Sequence, residues 1–224
     1  MTAVIILGIL GFIIQCIFIA TEHKEKYVGA VILKGSASVL FIIIGLYAIG
    51  FSKQADVARL IVIGLVLGGV GDVLLNLRFV FEKAGQKIFL AGIAAFLAGH
   101  ILYLAAIIPM CGSLWLCVII GAVLAAAVLT YIFKTMEVKL SFKIFGIFYL
   151  GAIIIMTSIA VGNLIAAPAS FTWLYAVGAL MFTASDIVLI FNTFSGTTRF
   201  PLRITNLTLY YIGQVLIAAS IMFI

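Results

Sequence analysis

Eight apolar segments follow one another along this chain with only short polar breaks, and no other feature narrows its fold so far. They cover residues 2–20, 29–51, 57–77, 87–109, 113–133, 143–163, 170–192 and 203–224. A hydrocarbon core about 30 Å thick takes roughly 20 residues of helix to cross. Lipid offers no partner to a backbone amide, so each segment has to satisfy its own by coiling. The expected fold is therefore all-α, a polytopic membrane protein built as a bundle of about eight transmembrane helices. Nothing is left over for a soluble domain or a long linker, and residues 1–224 read as a single integral-membrane domain. Composition agrees: a soluble domain carries about 25% charged residues, whereas this chain has 9%, against 66% hydrophobic. Pro109, Pro168 and Pro201 fall at segment edges, where a missing amide does least harm. The first segment opens at Met1 with no basic stretch and no small-residue cleavage site, so it is read as a retained span.

The charges sort by side. Lys24 and Lys26 follow the first segment; Arg78, Lys83 and Lys87 the third; Lys134, Lys139 and Lys143 the fifth; Arg199 and Arg203 the seventh. The opposite side has only Lys53 and Arg59, and Lys34 lies inside the second segment. Cations concentrate on the cytoplasmic side of membrane proteins, which places both termini on the non-cytoplasmic side of a membrane expected to be a bacterial cytoplasmic membrane. Contact with anionic headgroups accounts for the net charge of +6 without nucleic acid as a partner. Cys16, Cys111 and Cys117 show no metal-ligand spacing and read as small core or lipid-facing residues.

Shifting the chain against itself by 114 residues lays Leu60, Gly64, Asp72 and Leu75 on Leu174, Gly178, Asp186 and Leu189. The same shift lays Gly99, His100 and Leu102 on Gly213, Gln214 and Leu216. An offset of four segments preserves orientation, so the pattern suggests two parallel four-helix repeats, about 1–110 and 111–224.

Two acids stand out against this background. GGVGDVLLNL carries Asp72 and FTASDIVLIF carries Asp186, each inside an apolar helix. A carboxylate at such depth costs roughly 2.5–3.5 kcal/mol on insertion scales, and such residues mark function. Asp72 precedes Arg78 by six residues, about 9 Å at 1.5 Å per residue, and Asp186 precedes Asn192 by the same six. Lys34 reaches a similar depth from the second segment. His100 sits nearer the midplane, with Tyr103 one turn on. Asn76 is one turn from Asp72, Tyr149 lies in the cytoplasmic third of the sixth segment, and Tyr210, Tyr211 and Gln214 are read onto one face of the eighth. These groups are expected to meet in one polar pocket.

Two buried carboxyls held in different protonation states suit general acid–base work. No His, Cys, Asp and Glu set has metal-ligand spacing, no Gly-x-Ser-x-Gly elbow occurs, and no phosphate loop is present. The expected chemistry is a hydrolysis needing neither metal nor cofactor, on a substrate drawn from the bilayer or its interface. Gly69-Val70-Gly71-Asp72 resembles the GxGD element of intramembrane aspartyl proteases such as prepilin peptidases. Those enzymes carry the partner acid upstream, where this chain has only Asp56, on the opposite side. A small proton-coupled transporter is the other alternative, although polar residues thin out beyond His100, leaving mainly Asn163.

GDVLL in the third segment, GHILY in the fourth, GALMFTASDIVL in the seventh and YYIGQVLI in the eighth, in that order, resemble the YhhN-like family, which includes the lysoplasmalogenases. Lys34 suits the family's basic residue in the second segment, although the usual Lys-Pro reads Lys34-Gly35 here. The resemblance implies hydrolysis of the vinyl ether of lysoplasmalogens to a fatty aldehyde and glycerophosphoethanolamine or glycerophosphocholine. Asp72 and Asp186 would divide the acid and carboxylate roles, in an order the sequence leaves open. Lys34 would hold the phosphate. His100, Tyr103, Tyr210 and Gln214 would orient the acids or the glycerol hydroxyl, and Asn76 and Tyr149 would complete the substrate pocket. The lysophospholipid and the surrounding membrane lipids are the expected partners.

Overall fold

The structure is a computed structural model and describes residues 1–136, 140–194, 196 and 198–224. Lys139, one of the cations used to assign sidedness, lies outside the described residues. Eight long helices occur among them: α1 (Thr2–His23), α2 (Tyr27–Ile49), α3 (Ala55–Val80), α4 (Gly85–Ile107), α5 (Leu114–Thr135), α6 (Leu140–Ala166), α7 (Ser170–Phe194) and α8 (Phe200–Ser220). All eight are long and apolar enough to cross a membrane, which makes this a multi-pass membrane protein. Single 3₁₀ turns cover Glu82–Ala84, Ile108–Met110 and Ile221–Phe223. Pro109 lies in the second of these turns and Pro201 in the first turn of α8, where an amide has no helical partner to lose.

The helices overrun the apolar segments. Arg78 belongs to α3 and Lys134 to α5, each one residue past its segment, and with Arg59, Lys87, Lys143 and Arg203 they ride on helix ends. The reason is physical: helical hydrogen bonds remain favourable through the interface, and long basic side chains reach past it while their stems stay in apolar surroundings. Between α1 and α2 the chain reverses at Glu25, whose φ of 57° ends the first helix.

Neighbouring helices pack in sequence, α1 with α2, α2 with α3 and α3 with α4, then α5 with α6, α6 with α7 and α7 with α8. The two runs are joined where α4 meets α6 and α2 meets α8. The closest crossings occur where side chains vanish. A Cβ placed on Gly64 would lie 3.1 Å from the Gly99 carbonyl oxygen, and one on Gly178 would lie 2.8 Å from that of Gly213. Membrane helices use small residues in this way to gain backbone contact. Gly178→Ala forces its methyl into that carbonyl rather than into a side chain that can turn away. Overpacking of this kind costs about 1–3 kcal/mol, so the variant should melt at lower temperature in detergent. Gly151→Ala, with nothing within 4 Å of the new methyl, should leave the melting temperature unchanged.

The outer face is apolar, with Ile5, Ile9, Ile32, Trp115, Ile119, Val123 and Ile165 all exposed. Such a surface is stable only when lipid covers it. The interior holds the unusual chemistry: Gln15, Lys34, Ser38, Asp72, Asn76, His100, Asp186, Asn206 and Gln214 are all buried.

Candidate acid–base site

Three glycines in front of Asp72 let three helices close in on α3. A Cβ on Gly68 would meet the Gln214 amide of α8, one on Gly69 would meet Ile42 and Ser38 of α2, and one on Gly71 would meet the Phe96 ring of α4. The carboxyl that follows them is therefore wrapped by donors from two helices. Lys34 Nζ of α2 lies 3.4 Å from Asp72 Oδ1. The hydroxyls of Ser38 (2.6 Å) and Tyr210 (2.7 Å) both donate to Oδ2. Lys34 also donates to Gln15 Oε1 at 3.3 Å, and its ammonium sits 4.3 Å from the centre of the Tyr210 ring. Burying an ion pair costs several kcal/mol per ion unless further hydrogen bonds complete the shells; Ser38, Tyr210 and Gln15 supply them.

Asp186 of α7 has a leaner environment. Tyr149 of α6 donates to its Oδ2 at 2.5 Å, and Oδ1 makes no hydrogen bond among the described residues. The two acids line one cavity, together with Phe96, Tyr149 and Tyr210. Phe96 stands between the two tyrosines, its ring centre 6.4 Å from Tyr149 and 6.0 Å from Tyr210. The cavity shares Leu75, Phe89, Phe96, Tyr149 and Leu189 as walls with an adjoining apolar chamber between α4, α5, α6 and α7. Arg78 and Arg203 are likewise shared with a vestibule lined by Glu22, Tyr27, Asn192 and Arg199.

The sequence model of the YhhN family matches residues 29–221, a stretch that holds both acids, both tyrosines and Lys34. The chain belongs to the YhhN family. Neither the curated proteins nor the solved structures contain a match to it. In this YhhN protein three of the four motifs quoted above bring a residue to the cavity: GDVLL brings Asp72, GALMFTASDIVL brings Asp186 and YYIGQVLI brings Tyr210, while GHILY reaches it only through Tyr103 and Gln214.

The remaining expected residues divide into those that reach the acids and those that do not. Gln214 Nε2 donates to the Tyr210 hydroxyl at 3.3 Å and Tyr103 donates to Gln214 Oε1 at 3.0 Å, so both support Asp72 through Tyr210. Asn76 lines the cavity, but its amide donates to the Asp72 backbone carbonyl, one turn back. His100 makes no hydrogen bond to either acid among the described residues. Its Nδ1 bonds the Phe96 carbonyl at 2.7 Å, Nε2 has no partner, and its ring packs 4.6 Å from that of Phe182.

Lys34 was expected near the headgroups but is only 2% exposed, held at Asp72 and Gln15. Tyr211, read onto the face of Tyr210, instead turns to α1, where Gly11 makes room for its hydroxyl. The 100° between successive helical residues separates the two tyrosines. Asn192, six residues past Asp186, accepts the Arg199 amide at 2.7 Å and so ties down the start of α8. Asn163 donates to the Ile107 carbonyl at the far end of the bundle.

Ser38, Gln15, Arg78, Arg203 and Asn206 belong to the site or its surroundings and were not singled out as site residues. Ser38 lies one turn from Lys34, which is a usable signal; Gln15 is the lone strongly polar residue inside the first apolar segment. Among the described residues no three His, Cys, Asp or Glu side chains gather as metal ligands would.

Proposed function

We propose that this protein hydrolyses the vinyl ether bond of a lysoplasmalogen-type lipid, giving a fatty aldehyde and the glycerophospho-headgroup, with Asp186 as acid and Asp72 as carboxylate. The observation that carries the proposal is the inequality of two carboxyls in one cavity. Asp72 accepts from a cation and two hydroxyls, a set that suits the ionised form, which can only accept. Asp186, which also lines the cavity, has one donor at Oδ2 and none at Oδ1 among the described residues, which leaves room for a proton there.

The chemistry follows from that difference. Asp186 transfers its proton to the alkene carbon remote from oxygen, producing an oxocarbenium ion that the Asp72 carboxylate stabilises. Water adds to the cationic carbon as Asp72 takes its proton, and a hemiacetal forms. In the collapse Asp72 returns that proton to the glycerol oxygen, while Asp186 accepts the hemiacetal hydroxyl proton. The C–O bond breaks, aldehyde and alcohol leave, and both acids are back in their starting states. One water is consumed.

The surroundings support a single-chain lipid. The apolar chamber beside the acids suits a hydrocarbon tail, and the vestibule beyond Arg78 suits a polar headgroup. With the basic end of the bundle facing the cytoplasm, the headgroup would lie at that surface. Beyond the acids, Tyr103, Tyr175 and Phe182 are at most 1% exposed and pack the interior closed, which favours hydrolysis over passage of a solute.

The test is aldehyde release from a lyso-vinyl-ether phospholipid by purified protein in detergent with a chelator present. Release above the protein-free rate is expected. A folded protein that releases none from accessible lipid would defeat the proposal.

A further inference from the structure

We infer that Arg78 is a recognition site for a lipid-borne phosphate ester; this rests on the lipid-hydrolase reading of the adjoining cavity. Its guanidinium carbon lies 4.6 Å from the centre of the Phe79 ring and 4.4 Å from that of Phe89. Tyr27 stacks in turn on Phe79, with ring centres 5.3 Å apart. The aromatic rings hold the group in place but use none of its N–H donors. Among the described residues Arg78 makes no salt bridge and no side-chain hydrogen bond, although it is largely enclosed and lines both the acid cavity and the vestibule. A fixed planar fork with open edges at the junction of two cavities matches the oxygens of a phosphate.

The neighbouring cations are not comparable. Arg203 is already engaged with Glu22 through two hydrogen bonds of 2.6 and 2.9 Å. Lys34 is held by Asp72 and Gln15. Arg78 alone of these three is uncommitted.

The spacing argues for a phosphate attached to the reacting lipid rather than a free one. Arg78 follows Asp72 by six residues on α3, an axial distance of about 9 Å, and both line the acid cavity. From the alkene carbon of a vinyl ether, through the ether oxygen and three glycerol carbons, to phosphorus is about 8 Å with ordinary covalent bond lengths. One molecule can thus place its double bond at the acids and its phosphate at Arg78.

The experiment compares two saturated, unhydrolysable ligands with the same chain, an alkyl-glycerophosphoethanolamine and the corresponding alkylglycerol, for binding to purified protein in detergent. The parent should bind the phosphate-bearing lipid about 10–100-fold more tightly, the range of one or two charge-assisted hydrogen bonds. Arg78→Gln should abolish that difference and leave alkylglycerol binding unchanged. Arg78→Lys, which keeps the charge without the fork, should retain part of it and guards against misfolding of the first variant. Equal binding of both ligands by the parent, or an equal loss of both in Arg78→Gln, would overturn the inference. Inorganic phosphate is titrated in parallel: Arg78-dependent saturation by phosphate with no preference between the two lipids would show a free-anion site and overturn it too. The ligands cannot react, so a protein without aldehyde release but with Arg78-dependent lipid binding would lose the hydrolase reading and keep this site.

Discussion

Asp186→Asn should lower aldehyde release by about 10²–10⁴-fold, the usual contribution of a positioned general acid, with little change in melting temperature. The amide has the shape of the acid, and its oxygen can still accept from Tyr149, so the 2.5 Å contact has a replacement and the cavity keeps its walls. What is lost is the proton. Asp72→Asn should also abolish turnover, but at a cost in stability, because it strands the Lys34 ammonium in an apolar interior. The two substitutions therefore separate by a thermal measurement even though activity falls in both. Retention of more than a tenth of the parent rate by Asp186→Asn would remove it from the acid role.

The largest stability effect should come from Lys34→Met. Methionine fills much the same volume, but Asp72 is left 4% exposed with two hydroxyl donors and no cation. Breaking one side of a buried pair costs about 3–5 kcal/mol, whereas removing both sides can be close to neutral. The double variant Lys34→Met, Asp72→Asn should accordingly recover much of the stability lost by the single one, when unfolding is followed in mixed micelles. A double variant that melts below both singles would falsify the view that Lys34 exists chiefly to balance Asp72. Neither variant should turn over substrate, because both disturb the carboxylate.

Some of this was legible from the sequence and some was not, for identifiable reasons. Hydropathy located all eight helices because lipid exposure demands apolar residues around the whole circumference. Asp72 and Asp186 were visible because a carboxylate in such a helix is costly enough to need a cause. Ser38 was not, because a hydroxyl can hide by bonding its own helix, as Ser38 also does with the Lys34 carbonyl at 2.9 Å. Arg78 was read as a marker of the basic end, but topology carries no information about helix rotation. Only the packing of Phe79 and Phe89 turns its guanidinium towards the cavity. Lys34 shows another limit: its engagement with Asp72 and Gln15 depends on how α1, α2 and α3 meet. His100 was placed near the midplane with the other polar groups, but helix rotation directs it to the Phe96 carbonyl and the Phe182 ring.

The position of α5 has a kinetic consequence. It is the least buried of the eight helices and packs chiefly against α6, yet Leu129, Ile132 and Phe133 on it form the outer wall of the apolar chamber. The tail of the proposed lipid substrate, entering past this thin partition, would move from one hydrocarbon phase to another without leaving the bilayer plane. Encounter with the acids would then be a two-dimensional diffusion problem. Under the proposed hydrolysis, the concentration that sets the rate would be the mole fraction of substrate among the surrounding lipids, so diluting the membrane with inert lipid should slow turnover while diluting the suspension with buffer should not.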